Sequence, residues 1–271
     1  MAFEPKSGDH AIIEAVLTVS FARAFTDAEI GALFDQHAVF QDTLPRAQRL
    51  QYMQFMLGNS DAASVAPPLP TPAGLFFDRF QPDGKISWRL RADNNSLSIN
   101  CAEYSRWTPV WQQALKLMKD AMNNGLSDPS NFIVSVQLQT LDLFEWVGDE
   151  SKYSADLLFD RNGALTSTAI FDKGPLWHLH QGWYFYAGLP DNCEKMLERI
   201  NIDSLKQVNS RWSVRMDVNH SLDFIRPIEV DKFFEYGMAD TYFDFVHQAN
   251  KSALRSSLTS ESKSKIKLDA Q

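Results

Sequence analysis

Residues 85–101 read KISWRLRADNNSLSINC. Ile86, Trp88 and Leu90 alternate there with Ser87, Arg89 and Arg91. Past Asp93, Asn94 and Asn95, the residues Leu97, Ile99 and Cys101 alternate with Ser96, Ser98 and Asn100. Successive strand side chains point to opposite faces, so each run has one apolar and one polar side. The Asp-Asn-Asn step supplies a tight turn between them. The stretch therefore predicts a β-hairpin buried on one face, the pattern of an antiparallel sheet with a layer over one side.

The neighbouring segments extend this sheet. Leu75 to Phe80 reads as a strand entering the hairpin through the turn at Asp83 and Gly84. Ala15, Leu17, Val19 and Phe21 alternate with Val16, Thr18 and Ser20, a further strand. Thr26 and Glu29 have capping-box spacing ahead of Ile30, Leu33 and Phe34, so a helix follows. Arg46 to Leu57 predicts a second helix, and Pro67, Pro68, Pro70 and Pro72 an extended connector. After the hairpin, Thr108 and Pro109 open a helix whose apolar stripe is Trp111, Leu115, Met118 and Met122. Gly125, Asp128 and Pro129 end it.

A similar order then recurs. Val134, Val136 and Leu138 alternate with Ser135, Gln137 and Gln139. Leu157 to Phe159 and Leu165 to Phe171 flank Asn162 and Gly163 as a hairpin. Trp177 to Tyr186 is a long strand, Asn192 to Ser204 fits either strand or helix, and Arg211 to Val218 is a strand. Phe233, Phe234 and Tyr236 form an apolar cluster suited to internal packing. Met238, Tyr242, Phe245, Val246, Ala249 and Ala253 then trace a final helical stripe, with Trp107, Trp111 and Tyr242 read as core. The Ser/Lys-rich residues 259–271 read as a disordered tail.

The expected fold class is α+β. A long antiparallel sheet comes from two related halves, residues 1–127 and 128–258, with helices on one face. That order resembles a duplicated TATA-binding-protein-like saddle. The composition, 44% hydrophobic and 22% charged over 271 residues, suits a core built without metal or disulfides. The two cysteines, Cys101 and Cys193, are expected as free thiols. Met1 to Lys6 lacks signal-peptide character, and the apolar run Ala11 to Phe21 is broken by Glu14, Thr18 and Ser20. A cytoplasmic protein with no transmembrane segment is the expectation. The net charge of −8 argues against nonspecific coating of DNA.

The chain also resembles a sporadically distributed bacterial family of uncharacterised proteins of similar length. The resemblance rests on Glu14-Ala15-Val16-Leu17 leading to Val19 and Phe21, and on Tyr104-Ser105-Arg106-Trp107 ahead of Pro109. It rests also on His247 followed by Leu258-Thr259. The family's Arg-Tyr-x-Asn segment is replaced here by Gln137 to Asp142. The family transfers no catalytic residues. Its patchy distribution implies genes carried in mobile or phage-defence islands.

Chemistry-bearing patterns are sparse. There is no Walker-type phosphate loop, no Gly-x-Ser-x-Gly elbow, and the acidic run 148–151 reads as a solvated loop. His178 and His180 stand two apart on a strand and share a face with Tyr184 and Tyr186. With Asp217 or His220 from another strand they make a candidate metal set, although exposed imidazoles on a polar sheet are the plainer reading. The collective pattern is stronger. Arg89, Arg91, Gln137, Gln139, His178, His180, Tyr184, Tyr186, Arg211 and Arg215, with Ser98 and Asn100, fall on the polar sides of strands. A continuous sheet would gather them on one surface. The expectation is a non-enzymatic binding protein without cofactor, part of a bacterial defence or toxin-regulating system, that meets a protein partner or its own copy. A nucleic-acid binder using the arginines, and a metal enzyme centred on His178 and His180, are the alternatives.

Overall fold

The computed structural model describes residues 2–52, 71–126, 128–163, 168–172, 174–207 and 211–268. The first elements are β1 (Ala2–Pro5), β2 (Ile12–Phe21), α1 (Asp27–Asp35), β3 (Arg46–Tyr52), β4 (Thr71–Phe80), β5 (Ile86–Asp93), β6 (Ser96–Cys101) and α2 (Trp107–Asn123). Then come β7 (Phe132–Val147), β8 (Trp177–Phe185), β9 (Cys193–Lys206), β10 (Trp212–Glu229), α3 (Val230–Glu235), α4 (Met238–Ser257) and α5 (Ser260–Lys265). The class is α+β. All strands join one antiparallel sheet in the order β3-β4-β5-β6-β2-β7-β10-β9-β8, with β1 added beside β7.

The hairpin of residues 85–101 forms as its alternation dictates. Asp93 pairs with Ser96, and Asn94 takes a left-handed φ of 48° in the turn. Asparagine tolerates that region better than most residues. The turn docks on the end of β2: the Asn95 side-chain amide donates to the Phe21 carbonyl at 2.9 Å. Strands β2 and β7 pair at the middle of the sheet. Outward from β2 the strands run β6, β5, β4, β3, and outward from β7 they run β10, β9, β8.

The helices cover one face, and their ends follow local signals. Thr26 accepts from the Glu29 amide at 3.2 Å while the Glu29 carboxylate accepts from the Thr26 amide at 2.7 Å, a complete capping box. Helix α2 begins at Trp107, leaving Pro109 in the first turn where its missing N–H costs nothing. Trp107 donates to Asp244 at 2.9 Å and Trp111 to Asp240 at 2.7 Å, which locks α2 against α4 in antiparallel register.

Two apolar clusters fill the space under the helices. The larger joins Leu17, Val19, Leu90, Ile99, Val136 and Leu138 to α1, α2, α3 and the first turns of α4. The smaller joins Phe144, Trp146, Ile200, Ile202, Val214 and Met216 to Ala253 and Leu254 at the far end of α4. The larger cluster takes Met196, Leu222, Phe224 and Tyr242 from beyond residue 128, so the cores do not divide where the chain does.

Several expectations are corrected. The expected helix at Arg46 to Leu57 is the edge strand β3 as far as Tyr52, and residues 53–57 lie outside the described residues. Pairing with β4 overrides the helix propensity of Arg, Ala and Gln. Of the connector, Pro67, Pro68 and Pro70 lie outside the described residues, and Pro72 pairs within β4. Of the expected hairpin over 157–171, residues 164–167 lie outside the described residues; the described parts hold 3-10 turns at Ala155–Leu157 and Thr168–Phe171, and Phe159 bridges to Leu258. The ambiguous 192–204 stretch is strand β9. The expected disordered tail contains α5, capped by Thr259, and Ile266 and Leu268 are buried in the smaller cluster.

Candidate functional site

Cross-strand pairing puts the polar sides of the strands on one uncovered face. One row runs Arg91, Ser98, Thr18, Gln137, Ser221, Leu197, Tyr184. The next runs Arg89, Asn100, Val16, Gln139, Asn219, Arg199. Two more rows place His180 in line with Asn201 and Asp217, and His178 in line with Asp203 and Arg215. Arg211 lies just ahead of β10, and Tyr186 just past β8. All the residues chosen from alternation therefore share this face or its border. They do not converge on a point. Arg91 and Tyr184 stand six strand spacings apart, roughly 29 Å.

Four of the arginines are engaged with carboxylates of the same face, while Arg199 is exposed and shows no ion pair among the described residues. Arg89 grips Asp78 with two hydrogen bonds, at 2.6 and 3.0 Å, and lies over the Phe76 ring. Arg91 pairs with Asp93, Arg215 with Asp203 at 2.9 Å, and Arg211 with Glu145 at 3.8 Å. Gln139 donates to Asp217 at 2.8 Å. A hollow of about 180 Å³ at the middle of the face is lined by Glu14, Val16, Gln139, Leu141, Arg215 and Asp217. The surface is thus polar and self-paired, not a stripe of unmatched cations.

The aromatic end of β8 differs. Tyr184, Phe185 and Tyr186 are exposed by 53%, 38% and 70%. Among the described residues β8 is paired on one side only, with β9, so it is a sheet edge. Its sequence contains neither lysine nor proline, the residues that commonly blunt edges.

The metal set does not assemble. His178 Nδ1 and Asp203 are 2.6 Å apart, whereas Asp217 stands two strands away from His180 and is bonded to Gln139. His220, three residues beyond Asp217, falls on the covered face, fully buried and 2.7 Å from Glu198. Among the described residues no group of three or more His, Cys, Asp or Glu side chains is placed to hold an ion.

A second site lies on the covered face of the sheet. On the apolar side of β7 the series Val136, Leu138 is interrupted by Thr140 and Asp142 before Phe144 and Trp146 resume. On α4 the stripe Tyr242, Phe243, Val246 is interrupted by His247, Asn250 and Lys251 before Ala253 and Leu254. These gaps face each other and form a polar seam between the two apolar clusters. Asn250 donates to the Thr140 hydroxyl at 2.8 Å, and that hydroxyl donates to Asp142 at 3.3 Å. Trp107 stacks on His247 with ring centres 4.1 Å apart.

The seam opens into a cavity with about 50 Å³ of free space, lined also by His10, Tyr104, Arg106, Leu254, Ile266 and Leu268. Burial pushes the Asp142 carboxyl up to about 7, opposed in part by the Thr140 hydrogen bond. Burial pushes the His247 imidazole down to about 4, with the cations Lys251 and Arg255 adding to the effect. Burial also lowers His10 and raises the Tyr104 phenol. The carboxyl is therefore a better proton holder here than the imidazole, the reverse of their order in water.

The sequence signal that would have found this cavity is a carboxylate on the apolar side of a strand. Three residues that carry the family resemblance, Tyr104, Arg106 and His247, line it. Comparison of the chain with protein-family models, with curated proteins and with solved structures returns no match.

Proposed function

We propose that this chain is a non-enzymatic protein-binding module that receives its partner along β8 and across the adjoining open face. The observation that carries this reading is the run of exposed aromatics, Tyr184, Phe185 and Tyr186, at the end of a strand that pairs on one side only among the described residues. An edge offers backbone donors and acceptors for an added strand, and aromatics supply the anchors. The ion-paired arginines favour a polar protein surface over a polyanion, which needs cations free to replace its counterions. Membership in a bacterial defence or toxin-regulating system is supported by the family resemblance, and the genes beside this one test it.

Native mass spectrometry of the protein purified from its host tests the binding reading. The wild type should carry a second protein chain or a second copy of itself. The variant Tyr184→Lys, Tyr186→Ser should appear as the free chain with its melting temperature preserved. A wild type that is monomeric and unaccompanied, or a complex unaffected by the double substitution, would reject it. Binding to DNA that weakens steeply with salt would instead promote the nucleic-acid reading.

A further inference from the structure

We propose that the cavity between β7 and α4 is a binding site for a small uncharged ligand with an amide-like edge and a short apolar body. Four polar side chains that line it are more than nine-tenths buried: Asp142 at 1%, Asn250 at 2%, Lys251 at 6% and His247 at 7% exposure. His247 Nδ1 has no hydrogen-bond partner. A buried polar atom without a partner costs about 1–3 kcal/mol, so a site that keeps one is suited to a guest that satisfies it. The rest of the lining includes the aliphatic side chains Leu254, Ile266 and Leu268. One polar end and one apolar end are the usual division of labour in a small-molecule site.

Charge selects the ligand class. An anion would hold Asp142 against ionising beside it, and a cation would meet Lys251, Arg106 and Lys267 in the lining. Arg106 and Lys267 both donate to Asp9, at 2.5 and 3.0 Å, and so share one carboxylate that lies outside the lining. In a low-dielectric site an ion without a matched counter-ion is penalised, whereas a neutral group with one donor and one acceptor is not. An amide offers both, and a carboxyl, a carboxamide and an imidazole complement them. The free space equals roughly three or four waters, which sets the guest at a few heavy atoms. The seat is built partly by the segment that follows α5, since Ile266, Lys267 and Leu268 line it.

An isosteric series distinguishes the alternatives. Propionamide, propionate and propionamidinium share a planar fork on an ethyl group and differ in charge. Saturation-transfer NMR should show contact of the wild-type protein with propionamide and not with either ion. The signal should be lost in Leu254→Phe and in Ile266→Trp, which fill the cavity from two walls. Only a variant that retains the wild-type circular dichroism is read, so failure of one to fold leaves the other. Preference for propionate or propionamidinium would overturn the neutral class. No transfer from any probe, or propionamide transfer that persists in a folded filled variant, would overturn the site.

Discussion

At the scale of single residues, the polar seam makes a sharp statement about protons. Asp142 is held near 7 against 3.8 in solution, and His247 near 4 against 6.5. Between about pH 4 and 6.5 the folded chain keeps one proton on Asp142 that the unfolded chain releases, so stability falls as pH rises. Over the same window the unfolded chain keeps one proton on His247 that the folded chain lacks, so stability rises with pH. The two slopes cancel. In Asp142→Asn the His247 slope is unmasked, and stability should climb by about 3 kcal/mol from pH 4 to 6.5 relative to wild type. In His247→Gln it should fall by a similar amount. Urea unfolding at half-unit pH steps measures both, and parallel profiles for all three proteins would contradict the account. Which residues share the open face was legible in the sequence, because strand parity fixes it. Which of them touch was not. Asp203, not Asp217, reaches His178, since the register of β9 against β8 is set by the whole sheet.

At the scale of elements, the long alternating strands and the amphipathic helices were legible, because their periods persist over two or more turns. Strand β3 was not: its residues favour helix, and only β4 supplies the pairing that overrides them. Its arginines pack on rings, Arg46 over Phe80 and Arg49 over Phe34. Composition likewise hid α5, whose Ser and Lys content suits a solvated tail. Thr259 caps it, Lys265 donates to the Phe3 carbonyl at 3.0 Å, and Ile266 and Leu268 are buried. Replacing Ile266 and Leu268 by Ala should cost about 2–3 kcal/mol each in urea unfolding. A frayed tail would cost nothing.

At the scale of the whole molecule, one sheet and two apolar clusters make the halves dependent on each other. Helix α4 packs Phe243 and Val246 into the larger cluster and Leu254 into the smaller. Residues 1–127 alone would lose α4 and leave the β7-facing edge of β2 unpaired. That fragment should lack cooperative unfolding and aggregate, while the full chain unfolds in one transition seen alike by tryptophan fluorescence and circular dichroism. A soluble fragment with a cooperative melt would show that the first half is autonomous. The seam was hidden at this scale too, because Asp142 and His247 are 105 positions apart in the chain and only the packing of α4 brings their elements together.

The two free cysteines carry a practical consequence. Burial holds the Cys101 thiol near 12 and the Cys193 thiol near 11, so almost none of either is thiolate at neutral pH. Iodoacetamide at pH 7.5 should leave the folded chain unmodified by mass, and air should not cross-link it. The native protein is then a silent background for a fluorescent maleimide placed on Leu176→Cys, an exposed position just ahead of β8, whose colour would report whatever settles on that edge.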